Sequence, residues 1–179
     1  MRPALALCAV LACAACSSDR DTRVFRVPSS SMEPTLHCER PAPGCESNER
    51  DLVAVHPFGS RAPRRGDIVV FHTPPRAKIK CGVGGLFIKR VVGLPGERWA
   101  ERRGYIYING RRLAEPYIRP SRRDDQTRAG GKIPADSYLL LGDNRAFSCD
   151  SRVWGTAPRK DLVGWVFEIK RGSKEIPIG

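Results

Sequence analysis

Three consecutive serines, one lysine and one dense polar stretch are the residues of this chain whose types and spacing could do chemistry. The stretch "VPSSSMEPTL", residues 27–36, sets Ser29, Ser30 and Ser31 between Pro28 and Pro34. The prolines limit the loop's freedom, so less entropy remains to be lost when it orders. A serine hydroxyl is a weak nucleophile until a base activates it. The chain has three histidines, His37, His56 and His72. His72 closes a strand-like run, His56 precedes Pro57, and His37 starts a cysteine-bounded loop. Nothing in their context marks a catalytic base, and each reads as a surface or strand-end histidine.

Lys89 stands apart. It lies in "FIKRVVGLPGE", flanked by Phe87, Ile88, Val91 and Val92, whereas most lysines here sit among charges. A strand lysine can snorkel to water. If it stays in apolar surroundings, desolvation lowers its pKa. Bringing a lysine from ~10.4 to neutrality near working pH takes on the order of 4 kcal/mol. Arg90 adds a like charge, with its side chain on the opposite face of the strand. Lys89 is therefore a candidate general base for a serine.

A third stretch, "LGDNRAFSCDSRVWG", packs Asp143, Asn144, Arg145, Ser148, Asp150, Ser151 and Arg152 into residues 141–155. Such a cluster can satisfy its own loop backbone. It can also hold a base in place through supporting hydrogen bonds.

The elements that must position these groups read as short strands. Runs rich in Val, Ile, Phe and Tyr fall at 51–55, 66–71, 86–94, 105–108, 138–143 and 162–169, and such residues suit a pleated, half-buried surface. "YIYINGRRL" places Asn109-Gly110 between two runs, a hairpin signal. No convincing amphipathic helix follows the N-terminal segment, and there is no repeat or heptad. The expected fold is mainly β, a barrel-like or complex arrangement of antiparallel strands with a hairpin extension and few helices. Residues 119–132, charged and Gly-containing, read as an exposed loop.

The chain has 179 residues and a formal charge of +12, with arginine ahead of lysine. This favours anionic partners, either nucleic acid or an acidic membrane surface. The N-terminus decides between them: Arg2, the apolar "PALALCAVLACAAC", then "SSDRDTR" read as an export signal. As a helix, the 13 residues from Pro3 to Ala15 would span roughly 20 Å against a hydrocarbon core of about 30 Å. Cys16, after Ala14-Ala15, is a candidate lipidated residue of a bacterial lipoprotein signal; Cys13 is a second candidate, and a plain signal is the alternative. Export implies an oxidising compartment. The cysteines beyond this segment, Cys38, Cys45, Cys81 and Cys149, then allow two disulfides in three possible pairings. Cys38 and Cys45 flank a short Pro/Gly loop and could close it, which would leave Cys81 with Cys149. Their spacings do not suit zinc, and no metal or cofactor is expected.

Taken in order, "PSSSMEPTL", "RGDIVVF", "FIKRVVGLPGE" and "LGDNRAFSCDSRVWG" resemble the motifs of type I signal peptidases, serine endopeptidases that remove signal peptides from exported proteins. The resemblance runs over roughly residues 26–169 and includes the Asn-Gly hairpin and the "GWV" strand. It implies a Ser-Lys dyad in which Ser31, directly before Met32, is the nucleophile and Lys89 the general base. It implies that the Ser29 hydroxyl and the Ser31 N–H stabilise the oxyanion, that Ser30 is a spacer, and that Ser148 orients the lysine. Asp150 and Arg152 would brace the site, with Asp143, Asn144 and Arg145 structural. It also implies cleavage after small residues of Ala-X-Ala type. Met32, Leu36 and Phe58 are candidates for an apolar surface meeting lipid. The organisation expected is an export segment over 1–15, a tether over 16–23, a catalytic domain over 24–171 and a tail over 172–179. Partners would be signal-peptide-bearing preproteins and an anionic membrane surface, without nucleic acid. The protein would act as a monomer on the extracytoplasmic side of a bacterial membrane.

Three features depart from the family pattern: the lipoprotein-like leader, the Cys-bounded insertion over 37–49, and Phe147 and Cys149 beside Ser148. Rival readings are a dedicated conjugative or pilin-processing peptidase of the same superfamily, a silent lipoprotein scaffold, and a basic nucleic-acid-binding module. The aromatics are not interleaved with basic runs as a stacking platform requires, which weighs against the last.

Overall fold

The computed structural model describes residues 21–178. The export segment 1–15, the candidate lipidation site Cys16 and most of the tether lie outside the described residues. Twelve strands and two short helices follow. The strands are β1 (Arg23–Arg26), β2 (Leu52–Pro57), β3 (Ile68–His72), β4 (Leu86–Gly93), β5 (Arg98–Arg102) and β6 (Tyr105–Ile108). They continue as β7 (Arg111–Arg112), β8 (Arg128–Lys132), β9 (Ser137–Leu141), β10 (Ala157–Pro158), β11 (Leu162–Arg171) and β12 (Lys174–Pro177). The helices are α1 (Pro75–Cys81) and α2 (Ser151–Trp154). Every strand pairing is antiparallel. The larger sheet runs β1-β2-β11-β3-β4-β9-β10 with β12 on β11, and the smaller runs β7-β6-β5-β8. Among the described residues no helix is long and apolar enough to cross a membrane.

The register explains the environment of the candidate base. β4 lies between β3 and β9, with Val69 opposite Lys89 and Leu141 opposite Arg90. Both edges of β4 are paired, and its residues Ile88–Gly93 are buried on both faces. A lysine and an arginine in that run are therefore enclosed on opposite sides. Val92 of β4 packs with Leu139 and Leu141 of β9, with Ile106 and Ile108 of β6, and with Ile133. This cluster fixes the small sheet to the large one; full burial of such a side chain contributes about 1.5–3 kcal/mol.

The six strand runs expected from composition all lie on strands. The structure differs elsewhere. Residues 119–132 are not a loop throughout, because Arg128–Lys132 pairs with β5. Its sequence, Arg-Ala-Gly-Gly-Lys, carries no β-forming side chain. Glycine serves here because Gly130 has φ +68, and a Cβ there would overlap the Trp99 carbonyl. Helix α1 buries only Ala77 and leaves Ile79 exposed, so it shows no apolar stripe. In the region expected as a tail, β12 pairs with β11 and Ile176 packs against the core.

Candidate active site

Ser30–Met32 forms a single 3-10 turn. Leu36 N–H bonds the Met32 carbonyl at 3.0 Å, and Leu36 and Met32 are buried in the core beneath. The turn is also held from outside. Asn144 donates from its backbone N–H to the Ser31 carbonyl at 3.1 Å and from Nδ2 to the Ser30 carbonyl at 2.9 Å. The segment after β9 thus straps the serine turn. Ser30 packs against Gly44 of the Cys-bounded insertion, whose φ is +77. In the structure Cys38 bonds Cys45, and Cys81 bonds Cys149.

Lys89 reaches this turn. Its Nζ lies 2.7 Å from Ser31 Oγ and donates to the Ile88 carbonyl at 3.0 Å. The Phe87 ring centroid is 5.4 Å from the amine. Lys89 is 3% exposed. Burial brings its pKa down from 10.5 to about 8, against the opposing pull of the Asp150 and Asp143 charges. Ser29 Oγ donates to Ser31 Oγ at 3.3 Å. Val27, Pro28, Ser29, Ser31, Met32 and Lys89 line a cleft of about 400 Å³, with Val83, Gly84, Leu86, Phe87, Ile88, Phe147 and Cys149. None of the three histidines bonds a serine of the turn; His37 pairs with Glu33 at 2.6 Å and His56 stacks on Phe167.

Ser148 is half-buried, with its Oγ enclosed beside Gly142 and the Ser31 carbonyl. That oxygen has no hydrogen-bond partner among the described residues, and Lys89 bonds Ser31 and Ile88 instead. A Cβ on Gly142 would overlap both Ser148 Oγ and the Ser31 carbonyl. Gly142→Ala is therefore expected to cost about 1–3 kcal/mol through overpacking. An unchanged melting temperature would show that this close approach is not made.

The polar stretch forms two buried charge clusters. Asp143 receives two bonds from Arg90, at 2.9 and 2.6 Å, and one from Thr35 at 2.6 Å. Asp150 caps α2 through the Arg152 N–H and takes two bonds from the Arg152 guanidinium, each 2.9 Å. Burial would raise the Asp150 pKa, but Arg152, the Gly142 N–H and Arg145 outweigh it and hold the carboxyl below its ordinary range. Arg145 pairs with Glu115 and donates to the Gly142 carbonyl at 3.0 Å. Arg90, Thr35, Glu101 and Glu115 were not expected as members. Their positions in sequence carry no signal for these pairings, which sheet register and long-range packing create.

The lipid-facing candidates need correction. Met32, Leu36 and Phe58 are only 1%, 0% and 5% exposed. Leu36 and Met32 are core beneath the turn, and Phe58 lies under Arg61 and Arg159. The large apolar side chains exposed at the cleft are Val83, Leu86 and Phe147.

Glu33, His37 and Glu46 bring ligand-type atoms close together. Their acceptors are already engaged: Glu33 Oε1 takes the Cys38 and Glu46 N–H groups, and Arg119 and Arg122 hold Glu46.

A serine turn strapped onto a β-sheet, with a buried strand lysine at hydrogen-bond distance from one hydroxyl, has the parts of a nucleophile-and-amine-base hydrolase. The sequence model of the family described as signal peptidase, peptidase S26, matches residues 2–169. "Signal peptidase I" of Leptolyngbya laminosa is 42% identical over 139 residues, covering 77% of this chain and 63% of that protein. "Probable signal peptidase I-2" of a Synechocystis strain is 40% identical over 141 residues, covering 79% and 59%. A crystal structure of a signal peptidase I from Enterococcus faecalis V583 aligns at 32% identity and a TM-score of 0.48, over 58% of this chain and 96% of that one. The chain spans about three fifths of the length of these two relatives (63% and 59%). It belongs to the S26 signal peptidase family.

Proposed function

We propose that this chain is a serine endopeptidase that removes N-terminal signal peptides from exported preproteins, cutting after small residues of Ala-X-Ala type. The observation that carries the reading is the 2.7 Å contact between a buried Lys89 amine and Ser31 Oγ. Family membership supports it. The site is proposed to work on the extracytoplasmic side of a membrane, with the exposed Val83, Leu86 and Phe147 offering apolar contact at the cleft mouth.

The chemistry is acyl transfer. Neutral Lys89 has one lone pair. Its bond to the Ile88 carbonyl uses one N–H and helps aim that lone pair at Ser31. The Ser31 hydroxyl then donates to the amine, loses its proton to it and attacks the scissile carbonyl. The tetrahedral oxyanion is met by the Ser31 N–H and the Ser29 hydroxyl, each worth about 3 kcal/mol. Lys89, now protonated, gives its proton to the leaving amine. Water releases the acyl-enzyme with Lys89 again as base. The Ser148 hydroxyl, enclosed and without a partner among the described residues, is the proposed second group to orient the amine beside the Ile88 carbonyl. Asp143 and Asp150, fixed by Arg90 and Arg152, support the walls.

The test is cleavage of a peptide bearing one Ala-X-Ala site, in detergent, by wild type and Ser31→Ala. Cutting after the second Ala by wild type alone is expected. A wild type that leaves several such peptides intact would overturn the reading.

A further inference from the structure

We infer that the Cys81–Cys149 disulfide is a positioning element of the cleft: it ties together the two banks between which the substrate must lie, and so sets how narrow the site is. The inference rests on the peptidase reading above. One bank is the arm after α1, with Val83 and Gly84, which runs into Leu86 at the start of β4; the other holds Phe147 and Cys149 itself. Cys81 ends α1, and Gly82 follows in the left-handed conformation. The bridge therefore crosses from the root of one bank into the other.

Little else holds the arm. Of the seven residues of α1 only Ala77 is buried, while Ile79 and Val83 are 79% and 57% exposed. Within the arm, Thr73 and Gly85 exchange two hydrogen bonds, at 2.8 and 3.0 Å, which close its base but do not reach the opposite bank. On that opposite bank Phe147 is 67% exposed, and Ser148 has an enclosed hydroxyl without a partner. Asp150, next after Cys149, is anchored by Arg152. The second bank is thus a firm post from Asp150 onward, and the first is a lightly packed arm fastened to it by one covalent bond and by Ala77, which is buried in the cluster that holds Trp154 of α2. Without that bond the arm swings outward, the cleft widens, and a larger side chain enters where only a small one fits.

Both cysteines are half-buried, so a small dithiol can reach them. It reduces the bridge to two thiols and is itself oxidised to a cyclic disulfide. The experiment compares kcat/KM on two peptides that differ only in the residue before the cut, Ala against Val, using wild type, reduced wild type and the folded Cys81→Ala/Cys149→Ala double variant. A narrow pocket discriminates by about 10–200-fold per extra methyl-sized group. The Ala/Val ratio is expected to fall about tenfold in the double variant and in reduced wild type. Reductant added to the double variant is expected to change nothing further, which excludes the Cys38–Cys45 bridge as the source. A bridge that merely stabilises the fold would lower the melting temperature and leave the ratio intact; an unchanged ratio overturns the inference. If the double variant does not fold, the Cys38→Ala/Cys45→Ala variant, which keeps only the Cys81–Cys149 bridge, decides the matter by the same ratio measured with and without reductant. Wild type that cuts neither peptide overturns the peptidase reading, and this inference with it.

Discussion

Lys89→Met is expected to cripple peptide cleavage and to raise the melting temperature at pH 7. Both effects come from one fact, a lysine with its amine buried against Phe87 and Ser31. A positioned base contributes about 10²–10⁴-fold, so kcat should fall by about that much. On the proposed mechanism, activity in the wild type needs the neutral amine. kcat/KM should therefore rise with pH and level off above about 8, following the lowered pKa. A flat profile from pH 6 to 9 would remove Lys89 from the role of base.

Stability moves the other way. Burial lowers the folded-state pKa from 10.5 to about 8, which corresponds to about 3 kcal/mol of penalty on the protonated folded form. Below pH 8 both folded and unfolded chains hold the proton, and the penalty is complete. Between pH 8 and 10.5 the folded chain releases it first, so the wild type gains stability as pH rises. Methionine fills similar space without a charge and loses only the bonds to Ser31 and Ile88. The variant should melt about 5 °C higher at pH 7, with the gap closing by pH 10. Paired thermal melts at the two pH values check this. A variant that melts lower at pH 7 would mean the amine is not desolvated.

Arg152→Ala is expected to destabilise the protein by about 3–5 kcal/mol, the usual result of leaving buried charge unpaired. A guanidinium has five N–H donors, and here all are used. Arg152 bonds Asp150 twice, Glu101 at 3.0 Å, Asp124 at 2.7 Å and the Arg145 carbonyl at 2.8 Å. Its removal leaves Asp150 and Glu101, both 0% exposed, with fewer cationic partners; Arg128 still reaches Glu101. Lysine would not restore the site, since it offers a point charge and three donors. The deficit should shrink as pH falls, because protonation relieves the carboxylates that have lost their partner. In the wild type Asp150 has a depressed pKa, so its contribution is present above the ordinary Asp range and is lost on acidification. Denaturant titrations at pH 7 and pH 4.5 test the sign. A deficit that grows at low pH would contradict the pairing.

Some of this architecture is readable in the chain and some is not, for physical reasons. Lys89 stands out because its neighbours, Arg90 apart, are apolar, and burial is a property of a run of residues. Ser31 does not stand out among Ser29, Ser30 and Ser31; composition treats them alike, and only a family resemblance separates them. In space they separate because a 3-10 turn sends Ser30 against Gly44 and Ser31 toward the amine. The cluster over 141–155 is visible as a polar density. Its partners Arg90, Glu101 and Glu115 are not, since register and packing bring them there. Met32 and Leu36 read as surface candidates because an apolar residue after an active loop can go either way; sheet closure places them beneath it. α1 and β8 escape notice because their side chains bury almost nothing, and backbone pairing or a disulfide holds them.

The Asn144 strap determines when the site can come into being. Ser31 and Lys89 are 58 residues apart, and the Asn144 side chain closes over Ser30 from 114 residues downstream. Contacts of such long sequence separation form late, because their loop closure must be overcome first. A chain folded only through its first hundred residues would carry both the hydroxyl and the amine, with Met32 and Leu36 to bury the turn, yet it would lack the strap that grips the Ser30 and Ser31 carbonyls. On the proposed mechanism, hydrolytic competence would then coincide with completion of the fold.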